Sequence, residues 1–142
     1  MSHSTHSIPQ RREALEKQLF ILLEEKGQFL DQYYPQQGKE RTSMDHFLTQ
    51  YTTEVGKLLS ESLEDTNDVV LIGSCITMEY LDYGEKDTFT IVFPEDADPD
   101  DNRISFLSPV GRQLLLAKLD ETLVIAAPAG SMQVRITAII FH

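Results

Sequence analysis

The sequence predicts an α+β fold, in which an antiparallel two-helix coiled-coil hairpin precedes a small antiparallel β-sheet domain with one short helix. The first observation is the heptad-like spacing of apolar residues in the N-terminal half. The second is a change to alternating apolar and polar residues after position 69, and the third is a serine–proline helix start at Ser108. We therefore divide the chain into a flexible tail (1–8), a helical hairpin (9–64), a linker (65–69) and a sheet domain (70–142).

The first predicted helix spans residues 9–34. Pro9 suits its first turn, because proline has no amide hydrogen to leave unpaired there. The helix has a seam of residues spaced alternately by four and three, namely Leu15, Leu19, Leu22, Lys26, Phe29 and Tyr33, which Leu23 and Leu30 widen. Lys26 is the polar interruption of this seam, and Pro35 ends the helix.

The second predicted helix follows a polar tip loop at residues 35–41. Thr42 is predicted to cap this helix, with Asp45 near its third position, and the helix runs to about Leu63. It repeats the seam spacing with Met44, Leu48, Tyr51, Val55 and Leu58, which Phe47 and Leu59 broaden. Neither seam can be buried alone, so the short connection makes the two helices antiparallel neighbours.

The C-terminal half predicts strands that are buried on one side. The alternating sets are Ile76, Met78 and Tyr80; Phe89, Ile91 and Phe93; and Met132, Val134, Ile136, Ala138 and Ile140. Between them, Ser108 is a good N-cap and Pro109 fits the first helical position, because its φ angle is already close to the helical value.

Composition narrows the function classes. The net charge of −11 repels phosphate, so strong direct binding to nucleic acid is not expected, and a basic protein surface is the better partner. No apolar run is long enough to span a membrane, and the N-terminal residues do not form a signal peptide. The lone Cys75 is expected to be a reduced residue of the core. These features predict a cytoplasmic protein.

The sequence patterns that could indicate a metal site or a catalytic site are weak. His3 and His6 belong to the predicted tail. The acidic stretch at residues 95–101 alternates aspartates as a calcium loop does, but it lacks the required glycine, and Leu107 stands where such a loop has glutamate. No serine–histidine–aspartate set and no glycine-rich phosphate loop are evident. We expect no resident metal, no cofactor and no enzymatic activity.

Several segments of the C-terminal half resemble one known family. The main segment is Ile104-Ser-Phe-Leu-Ser-Pro-Val-Gly-Arg-Gln-Leu-Leu115, and the others are Val70–Thr77, Leu81–Glu85, Thr88–Val92 with Asp96–Pro99, and Val124–Gly130. In order and spacing they resemble the C-terminal domain of the Gre family of bacterial transcription factors. The chain departs from the family at Leu116-Ala117, where Gly-Lys is frequent, and at Asp120-Glu121, where Gly-Asp is frequent.

The resemblance implies an FKBP-like C-terminal domain and a binding partner, bacterial RNA polymerase. In the family, the segment matching Ser108, Pro109, Val110, Gly111 and Arg112 docks on a coiled-coil element at the rim of the polymerase secondary channel. The helical hairpin is then directed at the channel. Mg²⁺ enters this interpretation only as the polymerase's own ion.

The hairpin tip is represented here by Lys39, Glu40, Arg41 and Asp45. Cleavage-competent members of the family carry two carboxylates at their tip, which help to hold a second Mg²⁺ at the polymerase active site. Counted from Gly38, those positions hold Lys39 and Thr42. The sequence therefore predicts a regulator of elongation that does not stimulate transcript cleavage.

Three alternatives remain open. Glu40 would supply the first carboxylate of a cleavage factor if the loop slipped by one residue, and Asp45, which lies beyond the second position, is the other acidic candidate. The tip would otherwise be an ordinary polar loop. Finally, the intermediate length of the hairpin also suits a relative of the regulator of nucleoside diphosphate kinase.

Overall fold

The computed structural model describes residues 8–61 and 63–141. The chain divides between Glu64 and Asp65 into two compact units, one helical and one built on a sheet. The predicted α+β fold class is confirmed. The predicted tail, apart from the backbone of Ile8, lies outside the described residues, as do His3, His6 and His142.

The helical unit contains α1 (Ile8–Glu24), α2 (Lys26–Tyr33) and α3 (Lys39–Ser60). The prediction of one continuous helix over residues 9–34 was wrong, because Glu25 leaves the helical conformation at φ −112° and ψ 16°. Backbone hydrogen bonds still cross the break, from Glu25 N to Ile21 O and from Phe29 N to Glu25 O. Gly27, a poor helix former, lies shortly after the break.

The hairpin core is formed where α1 and α3 face each other. Its fully buried apolar residues include Leu15, Leu22, Met44, Leu48, Tyr51 and Val55. The predicted seam of α3 is therefore confirmed up to Val55. On α1 the prediction was partly wrong, since Gln18 is buried beside a half-buried Leu19, and Leu23 is 54% exposed. After the break Leu30 is buried while Phe29 is half-buried, so the buried stripe follows the helical spacing from Leu22 and leaves the strict seven-residue pattern.

Helix α3 begins earlier than predicted. Gly38 is its N-cap, with a φ of +145° that glycine adopts without strain. Thr42 N donates to Gly38 O, so Thr42 lies inside the helix and does not cap it. The connection between helices is therefore only residues 34–38, and the predicted loop over 35–41 was too long.

The sheet unit has five strands in the order β3-β2-β1-β5-β4. They are β1 (Ser74–Tyr80), β2 (Lys86–Val92), β3 (Arg103–Ser105), β4 (Thr122–Ala127) and β5 (Gly130–Phe141), with α4 (Pro109–Leu114) between β3 and β4. All neighbouring pairs are antiparallel except β2 and β3, which are parallel. The expectation of a purely antiparallel sheet was wrong at that edge, because two 3₁₀ turns (Pro94–Asp96 and Pro99–Asp101) return the chain to the same end of the sheet.

The core of this unit lies on one side of the central strands. Its fully buried apolar residues include Ile76, Met78, Ile91, Phe106, Leu114, Val134, Ile136 and Phe141. Cys75 is half-buried on β1 and is not in a disulfide. Its neighbours Ser74 and Ile76 are buried, and successive side chains of a strand point to opposite faces, so Cys75 lies on the face away from this core and the prediction that it is a core residue was wrong.

The residues predicted as a linker are folded against this unit. Leu63–Asn67 forms a 3₁₀ helix in which Thr66 is fully buried. Phe141 N donates to the side-chain oxygen of Asn67. These contacts explain why the described unit begins at Asp65, whereas the boundary of a functional domain stays a prediction.

Candidate docking corner and hairpin tip

The docking corner, which we define as Ser108–Arg112, begins with a compact hydrogen-bonded turn. Ser105 O accepts hydrogen bonds from Ser108 N at 3.0 Å and from Ser108 Oγ at 2.8 Å. Ser108 Oγ in turn accepts from Gly111 N at 3.0 Å. Pro109 occupies the first helical position. The predicted cap is confirmed, and it fixes the direction in which α4 leaves β3.

This turn is tight because Gly111 has no side chain. A Cβ atom at this position would lie 2.2 Å from Ser105 O and 2.9 Å from Ser108 Oγ. The residue is buried, so the structure gives it a packing role beneath the corner. A sequence pattern alone does not separate this role from direct contact with a partner.

The other corner residues reach the surface. Pro109 is exposed, while Ser108, Val110 and Arg112 are half-buried. Beneath them the fully buried Phe106 packs edge-to-face against Phe93, with ring centroids 5.7 Å apart. The corner is therefore a surface on a rigid base, and its role in binding stays a prediction.

Gln113, which no sequence pattern singles out, joins α4 to the edge strand β4. Its Nε2 donates to Ala126 O at 2.7 Å and to Pro109 O at 2.8 Å, and Ala126 N donates to its Oε1 at 2.9 Å. Gln113 and Ala126 are far apart in sequence, and only the folded chain brings them together.

In the hairpin tip, which we define as residues 34–45, some charged side chains are exposed and others bind neighbouring residues. Lys39 and Glu40 are exposed. Arg41 instead holds the connection in place, because its Nη1 donates to Tyr34 O and its Nη2 lies 3.0 Å from Asp31 Oδ1. The predicted tip residues are thus close in sequence, but Lys39 and Glu40 are the ones directed to solvent.

Asp45 is held by a lysine of the opposite helix. Lys26 Nζ donates to Asp45 Oδ1 at 2.6 Å, and this hydrogen bond lowers the pKa of Asp45 below its ordinary value. Lys26, which interrupts the apolar seam of the first predicted helix, is therefore the partner of Asp45, a predicted tip residue. Because Asp45 is ionised but already paired with a cation, it is a poor ligand for Mg²⁺.

A shallow open depression of about 530 Å³ lies at the tip. Its lining consists of Gly38, Lys39, Thr42, Ser43 and His46, and contains no carboxylate. Within residues 8–61 and 63–141 no group of three or more His, Cys, Asp or Glu side chains is placed to hold a metal ion. The depression at the tip thus contains the cation Lys39, whereas recruitment of a metal ion needs anionic groups.

None of the described helices is long and apolar enough to cross a bilayer.

Residues 65–141 match the family described as "Transcription elongation factor, GreA/GreB, C-term". Transcription elongation factor GreA of Thermosipho africanus is 44% identical over 75 residues, which cover 53% of this chain and 47% of that protein. GreA of Bacillus cytotoxicus is 39% identical over 80 residues, or 54% and 51% of the two chains. The chain therefore spans about half the length of these curated relatives.

Two solved structures are also similar. The elongation factor GreA/GreB from Nitrosomonas europaea is 25% identical with a TM-score of 0.50, and the match covers 63% of this chain and 79% of that one. GreA factor homolog 1 of Thermus thermophilus is 22% identical with a TM-score of 0.47, covering 93% of this chain and 88% of that one.

Proposed function

Because this chain belongs to the GreA/GreB family of transcription elongation factors, we propose that it binds RNA polymerase through its docking corner and regulates elongation without stimulating transcript cleavage. The observation that carries the proposal is the family match over residues 65–141, which contains the whole corner. In this proposal the hairpin tip is directed at the secondary channel, and the catalytic Mg²⁺ belongs to the polymerase.

The geometry of the corner supports docking. Its cap and the tight packing of Gly111 hold Pro109 and Arg112 at fixed positions, so little conformational entropy is lost when a partner binds. Arginine is enriched among residues that dominate binding energies, because its planar guanidinium makes several directed hydrogen bonds. The net charge of −11 favours a basic protein surface, such as one that encloses nucleic acid.

The tip supports the absence of cleavage. A second Mg²⁺ requires anionic oxygens at the tip. Of the two positions where cleavage-competent relatives carry carboxylates, one is the exposed Lys39 and the other is Thr42, inside α3. Asp45 is bound to Lys26, which leaves Glu40 as the exposed carboxylate of the tip.

Truncating the docking corner is expected to weaken binding to polymerase. The double variant Pro109→Ala/Arg112→Ala removes both side chains, and we expect a loss of about 2 kcal/mol, or roughly thirty-fold in Kd. The measurement is titration of labelled protein with core polymerase at fixed salt. The matched control is Pro99→Ala/Arg135→Ala, because Pro99 also begins a short helix and Arg135 is an exposed arginine of the same unit. Equal affinities of both double variants and the unmodified protein would refute docking at this corner.

The absence of cleavage is tested on backtracked elongation complexes. With saturating protein, we expect no shortened transcript at Mg²⁺ concentrations at which a cleavage-active GreA cuts the RNA. The same preparation must compete with that GreA, which shows that it occupies the polymerase. Cleavage that disappears in Glu40→Gln or Asp45→Asn would contradict the proposal and assign the tip to a cleavage factor.

A further inference from the structure

The side-chain amide of Gln113 contacts Ala126 in the way that a neighbouring strand would. A strand offers one N–H donor and one C=O acceptor to the residue opposite, and Gln113 offers both to Ala126. The two distances, 2.7 and 2.9 Å, are those of good backbone hydrogen bonds. The backbone N–H and C=O of Ala126 are therefore satisfied on the side that faces away from β5.

This contact occurs on an edge strand that needs it. β4 is the last strand in the sheet order, so no described strand lies along its outer side. Its sequence, Thr-Leu-Val-Ile-Ala-Ala, has no charge and no proline, and Val124 is 62% exposed. Short uncharged β-prone segments at a sheet edge are the segments that pair with another copy of themselves.

The same amide also holds the docking corner. Nε2 of Gln113 is shared between Ala126 O and the carbonyl oxygen of Pro109, which is the first residue of α4. Helix α4 has only six residues and ends at Leu114. A helix of this length is not stable by its own hydrogen bonds, so its orientation depends on contacts such as this one.

We propose that Gln113 is a positioning residue, whose amide takes the place of a sixth strand at Ala126, seats α4 and the docking corner on β4, and closes this edge to a second copy of the chain. The part that concerns docking rests on the function proposed above. The part that concerns the edge is independent of polymerase, because it follows from the hydrogen bonds and the composition of β4.

The test compares Gln113→Leu, which keeps the size of the side chain and removes all three hydrogen bonds, with Gln113→Glu, which keeps an acceptor for Ala126 N but loses the donor to the two carbonyl oxygens. The control is Gln133→Leu, since Gln133 is an exposed glutamine of β5 opposite Val124 and the change adds the same apolar surface. Amide hydrogen exchange by NMR, sedimentation velocity over a concentration series and polymerase titration are measured for each protein.

For Gln113→Leu we expect at least about tenfold faster exchange at the Ala126 amide, with unchanged exchange in β1 and β5. We also expect concentration-dependent self-association, and an affinity for polymerase lower by roughly three- to tenfold, because the three hydrogen bonds that seat α4 are lost. Gln113→Glu is expected to keep the Ala126 amide protected while losing affinity, because its carboxylate repels the carbonyls of Ala126 and Pro109. The Gln133→Leu control should behave as the unmodified protein in all three measurements.

Two results would overturn the inference. The first is unchanged Ala126 exchange and a monomeric Gln113→Leu, which would show that the edge does not depend on this side chain. The second is full affinity of both Gln113 variants in a protein whose unmodified form does bind polymerase. If the unmodified protein does not bind at all, the proposed function fails, while exchange and sedimentation still decide whether Gln113 closes the edge.

Discussion

Gly111→Ala is expected to destabilise the sheet unit by about 3 kcal/mol. The new methyl group would lie 2.2 Å from Ser105 O, a backbone atom that cannot rotate away. Relief requires that α4 move off the turn, which breaks the bonds from Ser108 Oγ to Ser105 O and from Gly111 N to Ser108 Oγ. Overpacking against backbone, together with loss of an N-cap, accounts for the expected size of the effect.

The matched control is Gly56→Ala, inside α3 and near its C-terminal end. A Cβ atom there meets nothing within 4 Å, so the change should be neutral or stabilise the helix by up to about 1 kcal/mol. Denaturant unfolding followed by NMR signals from each unit separately gives the measurement, since the two units need not unfold together. A Gly111→Ala protein as stable as the unmodified one, with unshifted signals around Ser105, would mean that the close approach is not a constraint.

Tyr51→Ala is expected to unfold the helical hairpin. Tyr51 is fully buried on α3, and its hydroxyl donates a hydrogen bond to Gln18 Oε1 on α1. Removing a buried aromatic ring costs about 4 kcal/mol, through lost apolar burial and the cavity that remains. A unit of this size has little stability to lose, because small domains bury a modest fraction of their surface. Far-UV circular dichroism should show the loss of helix at 25 °C.

Tyr51→Phe measures the contribution of the hydroxyl group to stability separately from that of the ring. This variant keeps the packing, and we expect a loss of only about 1 kcal/mol with the helices retained, because the hydrogen bond to Gln18 is removed while the ring stays buried. The control on the same helix is Thr53→Ala, which should change stability little because the side chain of Thr53 is exposed. The hairpin core would need revision if Tyr51→Ala kept its helical signal and its melting temperature.

Much of the local structure that the proposed function uses was evident in short stretches of sequence. The cap at Ser108 and the proline beside it act within one turn, so adjacent residues suffice to predict them. The seam of α3 was also predictable, because Met44, Leu48 and Tyr51 repeat with the period of the helix itself. The presence of Lys39 and Thr42 at the two tip positions was evident in the same way, since these positions are found by counting from Gly38.

The helix boundaries around the tip were less predictable. Thr42 and Asp45 resemble a helix start, but Gly38 begins the helix earlier because its positive φ angle allows a sharper turn. The break at Glu25 was missed because hydrogen bonds of helical spacing still cross it, so it leaves almost no trace in the spacing of the apolar residues. Such details depend on which helix faces become buried together.

The sequence by itself determined the fold class and the capped start of α4, because periodic spacing and a helix cap depend on residues close together in the chain, and it determined the family through the order and spacing of short segments. Only the tertiary structure decided that Lys26 binds Asp45, that β3 lies parallel to β2, and that Gln113 bonds to the edge of β4. These contacts join residues distant along the chain, and their geometry depends on how the helices and strands pack. The physical reason is that a long-range contact forms only after the packing of many other residues has set the register.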